Sequence, residues 1–320
     1  MSEIKIICTL GPQSINKKFL KFSNNNVNLL RLNMSHLTLG ELKKTIKFIK
    51  KNSKVPICID TEGAQIRIKV KKEKFFTLGQ KFKISNLQGS VILYPECIFD
   101  KLKIGDILNI GFSNLKIKIV KKNKDILCKV ITAGKLENNK GVHLENRKIK
   151  LNFLTNKDHK AIDIGKKFKI KHFALSFTNS VDDIIKFNKL LKGKNKIFKI
   201  ETLRAIKSFK GMLKKGDLFL IDRGDLSKDV RIENIPIVQR NLFKLRTKYK
   251  NKKIYVATNL LESMLENSYP TRGEANDIFN SLEMGAAGLV LAAETAIGKY
   301  PKDTVRFLKK MIRAFHRSNQ

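Results

Sequence analysis

A chain of 320 residues, 42% of them hydrophobic and with a net charge of +38, can form two ordinary domains or one large barrel with an insertion. That hydrophobic content excludes wholesale disorder, and because no run reaches the roughly eighteen apolar residues of a membrane span, we expect no membrane partner. The four cysteines are scattered without a CxxC pair and the amino terminus lacks the apolar core of a signal peptide, so we expect buried, reduced thiols in a cytoplasmic protein.

Short apolar runs alternate with helical patterns along the chain. Leu39, Leu42, Ile46 and Ile49 fall on one helical face. Similar helical periods cover 181–191, 202–214, 236–249, 272–284 and 301–316. The apolar runs are 4–9, 27–32, 55–60, 173–177, 196–201, 218–222, 254–258 and 288–292. Eight buried strands with helices between them predict an α/β fold, a (β/α)8 TIM barrel.

The interval between the third and fourth runs has a different pattern. Strand-like runs at 90–94, 107–111, 115–120 and 126–132 are separated by Gly, Asn and Lys turns, and no helical period is visible. The pattern predicts a small all-β domain, residues 69–142, inserted after the third strand of a barrel formed by residues 1–68 and 143–320. Because such an insertion joins the barrel at two neighbouring points, we expect it to act as a lid.

The positive charge is spread almost evenly over these two parts. Residues 69–142 carry 16 lysines and six acidic residues, a net +10, and the other 246 positions carry +28. A nucleic-acid site normally concentrates basic residues on one face, with aromatic residues among them. The chain has no tryptophan. We therefore expect a solvated basic surface and no nucleic-acid partner, and we keep a basic binding protein only as a distant alternative.

Polar and charged residues gather where the predicted strands end, which is where such barrels carry their active sites. Lys199 and Glu201 lie at the end of the fifth run, Asp225 follows the sixth, and Arg31 lies near the end of the second. The two carboxylates, with Lys199 and Arg31, could hold a divalent cation such as Mg²⁺ or Mn²⁺ together with an anionic substrate. His36 has no second His or Cys at a zinc-binding spacing, so a zinc site is not expected.

Seven segments in this order resemble the pyruvate kinase family. They are KIICTLGPQS, VNLLRLNMSH, CIDTEGAQIR, FKIE, DRGDL, ATNLLESMLENSYPTRGEANDIFNSLEMGA and AAETAIGKYP, and the similarity covers about residues 4–310. The resemblance implies a barrel with an inserted β-domain and a cytoplasmic phosphotransferase of glycolysis, which passes a phosphoryl group from phosphoenolpyruvate to ADP. The family continues beyond residue 320 into a carboxy-terminal regulatory domain, so we expect a minimal form without sugar-phosphate regulation, in which any homo-oligomer forms through the barrel.

The resemblance also implies roles for individual residues. Lys199 matches the lysine that neutralises the transferring phosphoryl group, Arg31 an arginine that grips phosphate, and Thr258 the residue associated with enolate protonation. Substrate binding is implied for Arg31, Lys199, Gly224, Asp225 and Thr258. Gly224 and Asp225 would bind the substrate carboxylate through their backbone N–H groups. Nucleotide binding is implied for Arg67, His36 and Lys157. The cation ligands implied are Glu201 and Asp225 for Mg²⁺, and Asn33, Ser35, Asp60 and Thr61 for K⁺.

Several positions depart from the family pattern. DTKGPEIR becomes DTEGAQIR, which introduces Glu62 and leaves Gln65 where a Glu accompanies potassium dependence, so the monovalent requirement stays open. ARGDLG becomes DRGDLS, which puts Asp222 beside the substrate carboxylate site, where it would repel phosphoenolpyruvate unless it points away. Phe198 replaces a small residue before the lysine. These departures favour an alternative: a paralogue that binds phosphoenolpyruvate or a related keto acid with altered or lost kinase activity.

Overall fold

The computed structural model describes residues 3–86, 89–111, 115–147 and 149–318. It divides into two compact units, Met1–Gly63 with Asn156–Gln320, and Ala64–Thr155. The first unit is called the barrel unit here and the second the β unit. Within the described residues, no helix is both long enough and apolar enough to cross a membrane.

Among the described residues of the barrel unit, eight parallel strands close into a barrel, as the sequence predicts. Numbered along the whole chain, they are β1 (Lys5–Thr9), β2 (Leu29–Asn33), β3 (Ile57–Asp60), β13 (His172–Leu175), β14 (Asn195–Ile200), β15 (Leu218–Asp222), β16 (Lys253–Ala257) and β17 (Gly288–Leu291). Hydrogen bonding runs in the order β1, β17, β16, β15, β14, β13, β3, β2 and back to β1. All carboxyl ends of the strands therefore meet at one rim.

Helices connect these strands. In the described part of the barrel unit they are α1 (Lys17–Ser23), α2 (Leu39–Asn52), α4 (Asn156–Lys167), α5 (Val181–Leu190), α6 (Leu203–Met212), α7 (Arg223–Leu226), α8 (Ile235–Thr247), α9 (Arg272–Glu283), α10 (Ala293–Ala296) and α11 (Pro301–Ser318). The helical periods found in the sequence correspond to α2, α5, α6, α8, α9 and α11. Helices α1, α4, α7 and α10 were not predicted, since α1 has only seven residues, α7 and α10 have four each, and α4 is rich in lysine.

Phe198, which the sequence analysis noted as a departure, lies in the layer between strands and helices. Its ring is buried and lies 6.1 Å from the ring of Phe187 on α5 and 5.9 Å from that of Phe219 on β15. Successive side chains of a strand point to opposite faces, so a bulky residue next to Lys199 does not fill the same space as the lysine. A Cβ at Gly216 would come within 2.9 Å of the Phe198 ring, so this glycine provides the room for it.

The described part of the β unit forms a seven-stranded antiparallel sheet and a separate two-stranded antiparallel sheet, with a buried, mainly aliphatic core. Its described elements are β4 (Ile66–Val70), β5 (Lys74–Phe76), β6 (Lys81–Ile84), β7 (Val91–Tyr94), α3 (Ile98–Lys101), β8 (Ile107–Ile110), β9 (Leu115–Lys122), β10 (Ile126–Thr132), β11 (Gly134–Leu136) and β12 (Lys140–Leu144). The one-turn helix α3 differs from the expectation of no helix, because four residues are too few to show a period. The boundaries drawn at 68/69 and 142/143 fall inside β4 and β12, which pair with each other, so the unit begins and ends further out.

An ion pair links Arg147, which follows β12, to Asp106, which precedes β8. Arg147 donates from Nε to Asp106 Oδ1 at 2.8 Å and from Nη2 to Asp106 Oδ2 at 2.6 Å, and the Asp106 side chain is 3% exposed. Burial would raise the pKa of Asp106, but the hydrogen bonds from Arg147 and from the Lys103 N–H lower it below its usual value. The carboxylate is therefore ionised and depends on Arg147 for its compensation.

Arg147→Ala is expected to weaken the β unit by about 1.5–3 kcal/mol, since among the described residues it leaves the largely buried Asp106 carboxylate with only the Lys103 N–H as a hydrogen-bond donor. Hydrogen exchange measured strand by strand checks this: the amides of β8, β9 and β12 should exchange faster and those of the barrel strands should not. Lys124→Ala, in the exposed turn between β9 and β10, is the matched control. Equal exchange in both variants would contradict the role given to this pair.

The cysteines follow the sequence expectation with one exception. Cys8, Cys58 and Cys128 are buried free thiols, and burial raises the pKa of each well above its usual value. Cys97 is exposed, so the expectation that it is buried was wrong. It precedes α3 immediately, where the chain leaves the sheet.

Candidate active site

The charged side chains predicted at the strand ends meet at the carboxyl rim of the barrel. Asp60 and Asp222 are the last residues of β3 and β15, and Lys199 and Glu201 flank the end of β14. Residues two apart on a strand face the same way, so Lys199 and Glu201 project together. Arg31 on β2 completes the group, and none of the five side chains belongs to a residue more than 6% exposed.

Lys199 is the centre of this group, which we call the buried charge cluster (Arg31, Asp60, Lys199, Glu201 and Asp222). Within the described residues, its Nζ contacts three carboxylates. The distances are 2.8 Å to Glu201 Oε1, 3.2 Å to Asp222 Oδ2 and 3.3 Å to Asp60 Oδ2. Nζ also donates to Ser176 Oγ at 3.2 Å.

Arg31 and Asp60 form the second buried pair. Arg31 donates from Nε to Asp60 Oδ2 at 2.8 Å, places Nη2 2.6 Å from the same oxygen, and donates from Nη1 to Thr9 Oγ1 at 3.0 Å. The other oxygen, Asp60 Oδ1, accepts from Ser176 Oγ at 3.1 Å. Asp60 is therefore shared between two cations and one hydroxyl, which fixes its orientation at the rim.

The ionisation of the cluster follows from these contacts. Burial would lower the pKa of Lys199, but Asp60, Glu201 and Asp222 together raise it above its usual value. Burial would raise the pKa of Asp60, and Lys199 and Arg31 outweigh it and lower the value. For Glu201 the burial and the negative charges of Asp222 and Asp225 outweigh Lys199, so its pKa is raised. Lys199 and Asp60 are thus charged, whereas Glu201 holds a proton more strongly than a free glutamate does.

Three carboxylates offer a place for a metal ion. Oxygens of Glu201, Asp222 and Asp225 lie within 4.8 Å of one another, and oxygen donors of this kind suit Mg²⁺ or Mn²⁺. The Phe177 N–H donates to Glu201 Oε2 at 2.5 Å, and Lys228 pairs with Asp225 Oδ1 at 2.7 Å. Sequence analysis named Glu201 and Asp225 for this site. Asp222 joins them because β15 ends with its side chain turned toward Lys199.

Thr258 stands at the same rim in an unusual backbone conformation. Its φ is +69°, in a region that β-branched residues rarely adopt. Its Oγ1 accepts from the Gly224 N–H at 2.8 Å and donates to the Ala257 carbonyl at 2.5 Å. Arg223 holds the Thr258 carbonyl from Nη2 at 2.7 Å and is itself paired with Asp277 at 2.7 Å. The strained residue is therefore held from both sides.

Three residues of this site were missed by sequence analysis in these roles: Ser176, Arg223 and Asp277. Ser176 and Arg223 lie in segments that the sequence analysis recognised as strand ends or as a family motif, so their position was visible but their bonds were not. Asp277 lies on helix α9, and no sequence signal connects it with Arg223, which is 54 positions away.

The residues implied for a monovalent cation are neighbours at the ends of β2 and β3. Asn33 and Asp60 are paired in register. Asn33 Oδ1 accepts from the Ser35 N–H at 3.0 Å, and Thr61 Oγ1 accepts from the Ser176 N–H at 3.0 Å. The four residues thus lie close together in the chain fold, with oxygen atoms as their side-chain donors.

The residues implied for the nucleotide are distributed differently. His36 is exposed, just after β2, and Arg67 belongs to the β unit, where its Nη1 donates to the Asn139 carbonyl at 3.1 Å. Lys157 donates to Glu62 Oε1 at 2.7 Å and to the Met34 carbonyl at 2.6 Å. Glu62, the acidic departure from the family pattern, is therefore neutralised by Lys157 rather than facing a substrate unpaired.

Comparison with known proteins agrees with this architecture. The family model "Pyruvate kinase, barrel domain" matches residues 1–305. The chain belongs to the pyruvate kinase family. A pyruvate kinase of Thermotoga maritima is 32% identical, over 97% of this chain and 70% of its own length. Those of Methanocaldococcus jannaschii and Staphylococcus saprophyticus are 34% and 33% identical over 97% of this chain, which covers 69% and 56% of their lengths.

Membership of the pyruvate kinase family makes this chain one of a group of phosphotransferases. The match extends through the β unit as well as the barrel unit, since it includes every residue from 64 to 155. The resemblance stated from the motifs is therefore confirmed, as is the fold class.

Proposed function

We propose that this chain transfers the phosphoryl group of phosphoenolpyruvate to ADP, giving pyruvate and ATP, as a member of the pyruvate kinase family. The observation that carries the proposal is the buried charge cluster at the barrel rim, where Lys199 and Arg31 stand beside carboxylates suited to a divalent cation. Phosphoryl transfer depends chiefly on positioning and on neutralising charge, which these residues supply.

Lys199 and Arg31 are the proposed partners of the phosphoryl group. Both are held in place before any substrate binds, Lys199 by three carboxylates and Arg31 by Asp60 and Thr9. Charges that are already oriented in a site from which water is excluded stabilise a transition state without reorganising. We assign Lys199 to the charge that develops on the transferring group and on the enolate, and Arg31 to the phosphate oxygens.

Glu201 and Asp225 are the proposed ligands of Mg²⁺ or Mn²⁺. Such an ion, when bound, withdraws electron density from the oxygens it contacts and neutralises their charge. Glu201 is held by the Phe177 N–H, and Asp225 stands one turn of α7 from Asp222. For K⁺ we propose Asn33, Ser35, Asp60 and Thr61, supported by the register of β2 and β3.

Thr258 and Gly224 are assigned to the rest of the substrate. The Gly224 N–H and the Ala257 carbonyl orient the Thr258 hydroxyl. We assign this hydroxyl to giving its proton to the enolate when pyruvate forms, with water returning a proton to the threonine oxygen. The backbone N–H groups of Gly224 and Asp225 are proposed to bind the substrate carboxylate. The Gly224 N–H has to leave the Thr258 hydroxyl to do so.

For the nucleotide we propose Arg67, His36 and Lys157. Lys157 is the best supported of the three, because its side chain is 26% exposed and its ammonium is already oriented by Glu62 and Met34. An anionic phosphate would compete with Glu62 for this ammonium. Arg67 and His36 rest on the family motif alone.

A coupled assay of pyruvate release from phosphoenolpyruvate, with and without ADP, tests the function. We expect release that requires both ADP and a divalent cation. A paralogue with another reaction, which the unusual Asp222 and Glu62 favour, would release pyruvate without ADP or not at all. Binding of phosphoenolpyruvate without turnover would support that second candidate.

A further inference from the structure

Asp222 is a buried carboxylate to which the proposed reaction assigns no role. It is 4% exposed, and its Oδ2 lies 3.2 Å from Lys199 Nζ. Within the buried charge cluster, two cations, Arg31 and Lys199, face three carboxylates. Asp225 adds no net charge because Lys228 pairs with it. With all five groups ionised, the cluster would contain one more negative charge than positive charge.

A structural role for Asp222 as a partner of Lys199 does not account for this excess. Lys199 already contacts Glu201 at 2.8 Å and Asp60 at 3.3 Å, and Asp60 is further compensated by Arg31. Burying an additional carboxylate costs free energy unless a further cation accompanies it. Among the described residues of the cluster, one further positive charge is needed to balance the carboxylates, either a bound cation or a proton.

The position of Asp222 indicates where that cation would bind. One oxygen from each of Glu201, Asp222 and Asp225 lies within 4.8 Å of the others, two of these residues are buried, and all three are anchored on consecutive barrel strands or the turn after them. Mg²⁺ is more usually bound through one or two carboxylates and completes its coordination with water and substrate oxygens.

We propose that Asp222 is a third carboxylate of the divalent-cation site, and that it makes this chain bind the cation tightly before any substrate is present. The proposal deepens the proposed function and rests on it for the identity of the site, but not for its test. A cluster with an excess negative charge repels an anionic substrate, and a bound divalent cation reverses the sign of that charge. Cation binding should therefore precede binding of the phosphoenol ester.

Direct binding of Mn²⁺, measured by electron paramagnetic resonance without substrate or nucleotide, tests this. Asp222→Asn keeps the size of the side chain and removes its charge, and we expect it to weaken Mn²⁺ binding at least tenfold. Asp217→Asn is the matched control: Asp217 precedes the amino end of the same strand, with a side chain 87% exposed, and should leave Mn²⁺ binding unchanged.

Unchanged Mn²⁺ affinity in a folded Asp222→Asn protein would overturn the proposal and leave Asp222 as a partner of Lys199 only. Asp222→Ala provides a second variant if the amide does not fold. The unaltered protein gives an independent measurement, since Mn²⁺ alone should raise its unfolding temperature; no shift would also overturn the proposal. Because substrate is absent from every arm, loss of ADP-dependent turnover would refute the proposed function without affecting these results.

Discussion

Lys199→Met is expected to lower turnover at least 100-fold, the largest effect on catalysis of any substitution at this site. The lysine is the ammonium that three carboxylates orient toward the barrel rim, and removing one preorganised charge of this kind typically costs about 2.7–4 kcal/mol of transition-state stabilisation. Steady-state kinetics with phosphoenolpyruvate and ADP measure it. Turnover at the parental rate would exclude the proposed role.

The control for Lys199→Met has to separate catalysis from stability, because the variant also leaves buried carboxylates uncompensated. Adding Asp222→Asn to Lys199→Met removes one of those charges and should recover part of the lost stability, and denaturant unfolding of both variants shows how much folded protein contributes to each measured turnover. Lys196→Met changes a lysine near the amino end of the same strand, whose ammonium donates to the Leu191 carbonyl, and should retain turnover. If the double variant regained activity, the loss in Lys199→Met would be structural.

Asp60→Asn is expected to cost about 3–5 kcal/mol of unfolding free energy, the largest effect on stability. Asp60 is fully buried and compensates both Arg31 and Lys199, so its neutralisation leaves two buried cations with less compensation. Denaturant unfolding followed by circular dichroism measures the change. Asp217→Asn, which alters an exposed pair with Lys252, should change it by less than about 1 kcal/mol.

The stability that Asp60 contributes should decrease as the pH falls. Lys199 and Arg31 lower the pKa of Asp60 in the folded chain below its unfolded value, against the effect of burial. The stabilisation is therefore complete above the unfolded pKa of about 3.9 and is lost as the pH falls through the folded value. The difference in unfolding free energy between the parent and Asp60→Asn should stay constant near neutral pH and become smaller in acid. A difference that grows in acid would contradict the assignment.

The barrel could be predicted from sequence because its strands are buried on both faces and so appear as continuous apolar runs. The pair Lys199 and Glu201 could also be predicted, since their spacing places them on one face of a strand. What could not be predicted was the direction of Asp222. As the last residue of its strand it could have turned toward a bound carboxylate, and only the folded chain shows that it contacts Lys199.

Long-range partners account for most of what the sequence does not show. Lys157 and Glu62 are 95 positions apart. The family motifs suggest a nucleotide contact for Lys157 and mark Glu62 as a departure from the family pattern, but they do not show that the two residues pair. Arg223 and Asp277 are likewise joined only by folding. Pairing of this kind depends on how strands and helices pack, and a single sequence carries no periodicity that records it.

Asp158 lies where the chain leaves the barrel unit and returns to it. This buried carboxylate on α4 accepts hydrogen bonds from the Glu62 N–H at 2.7 Å and the Gly63 N–H at 3.1 Å, directly before the excursion that runs from Ala64 to Thr155. Bringing the ends of so long an excursion together carries an entropy cost of about 4 kcal/mol for a flexible loop. Strands β3 and β13 pair only after that closure. If the β unit folds first, the loop that must be closed is effectively shorter, and the Asp158 hydrogen bonds then hold its ends together. The order in which the two units fold therefore affects the entropy cost of pairing β3 with β13 and closing the barrel.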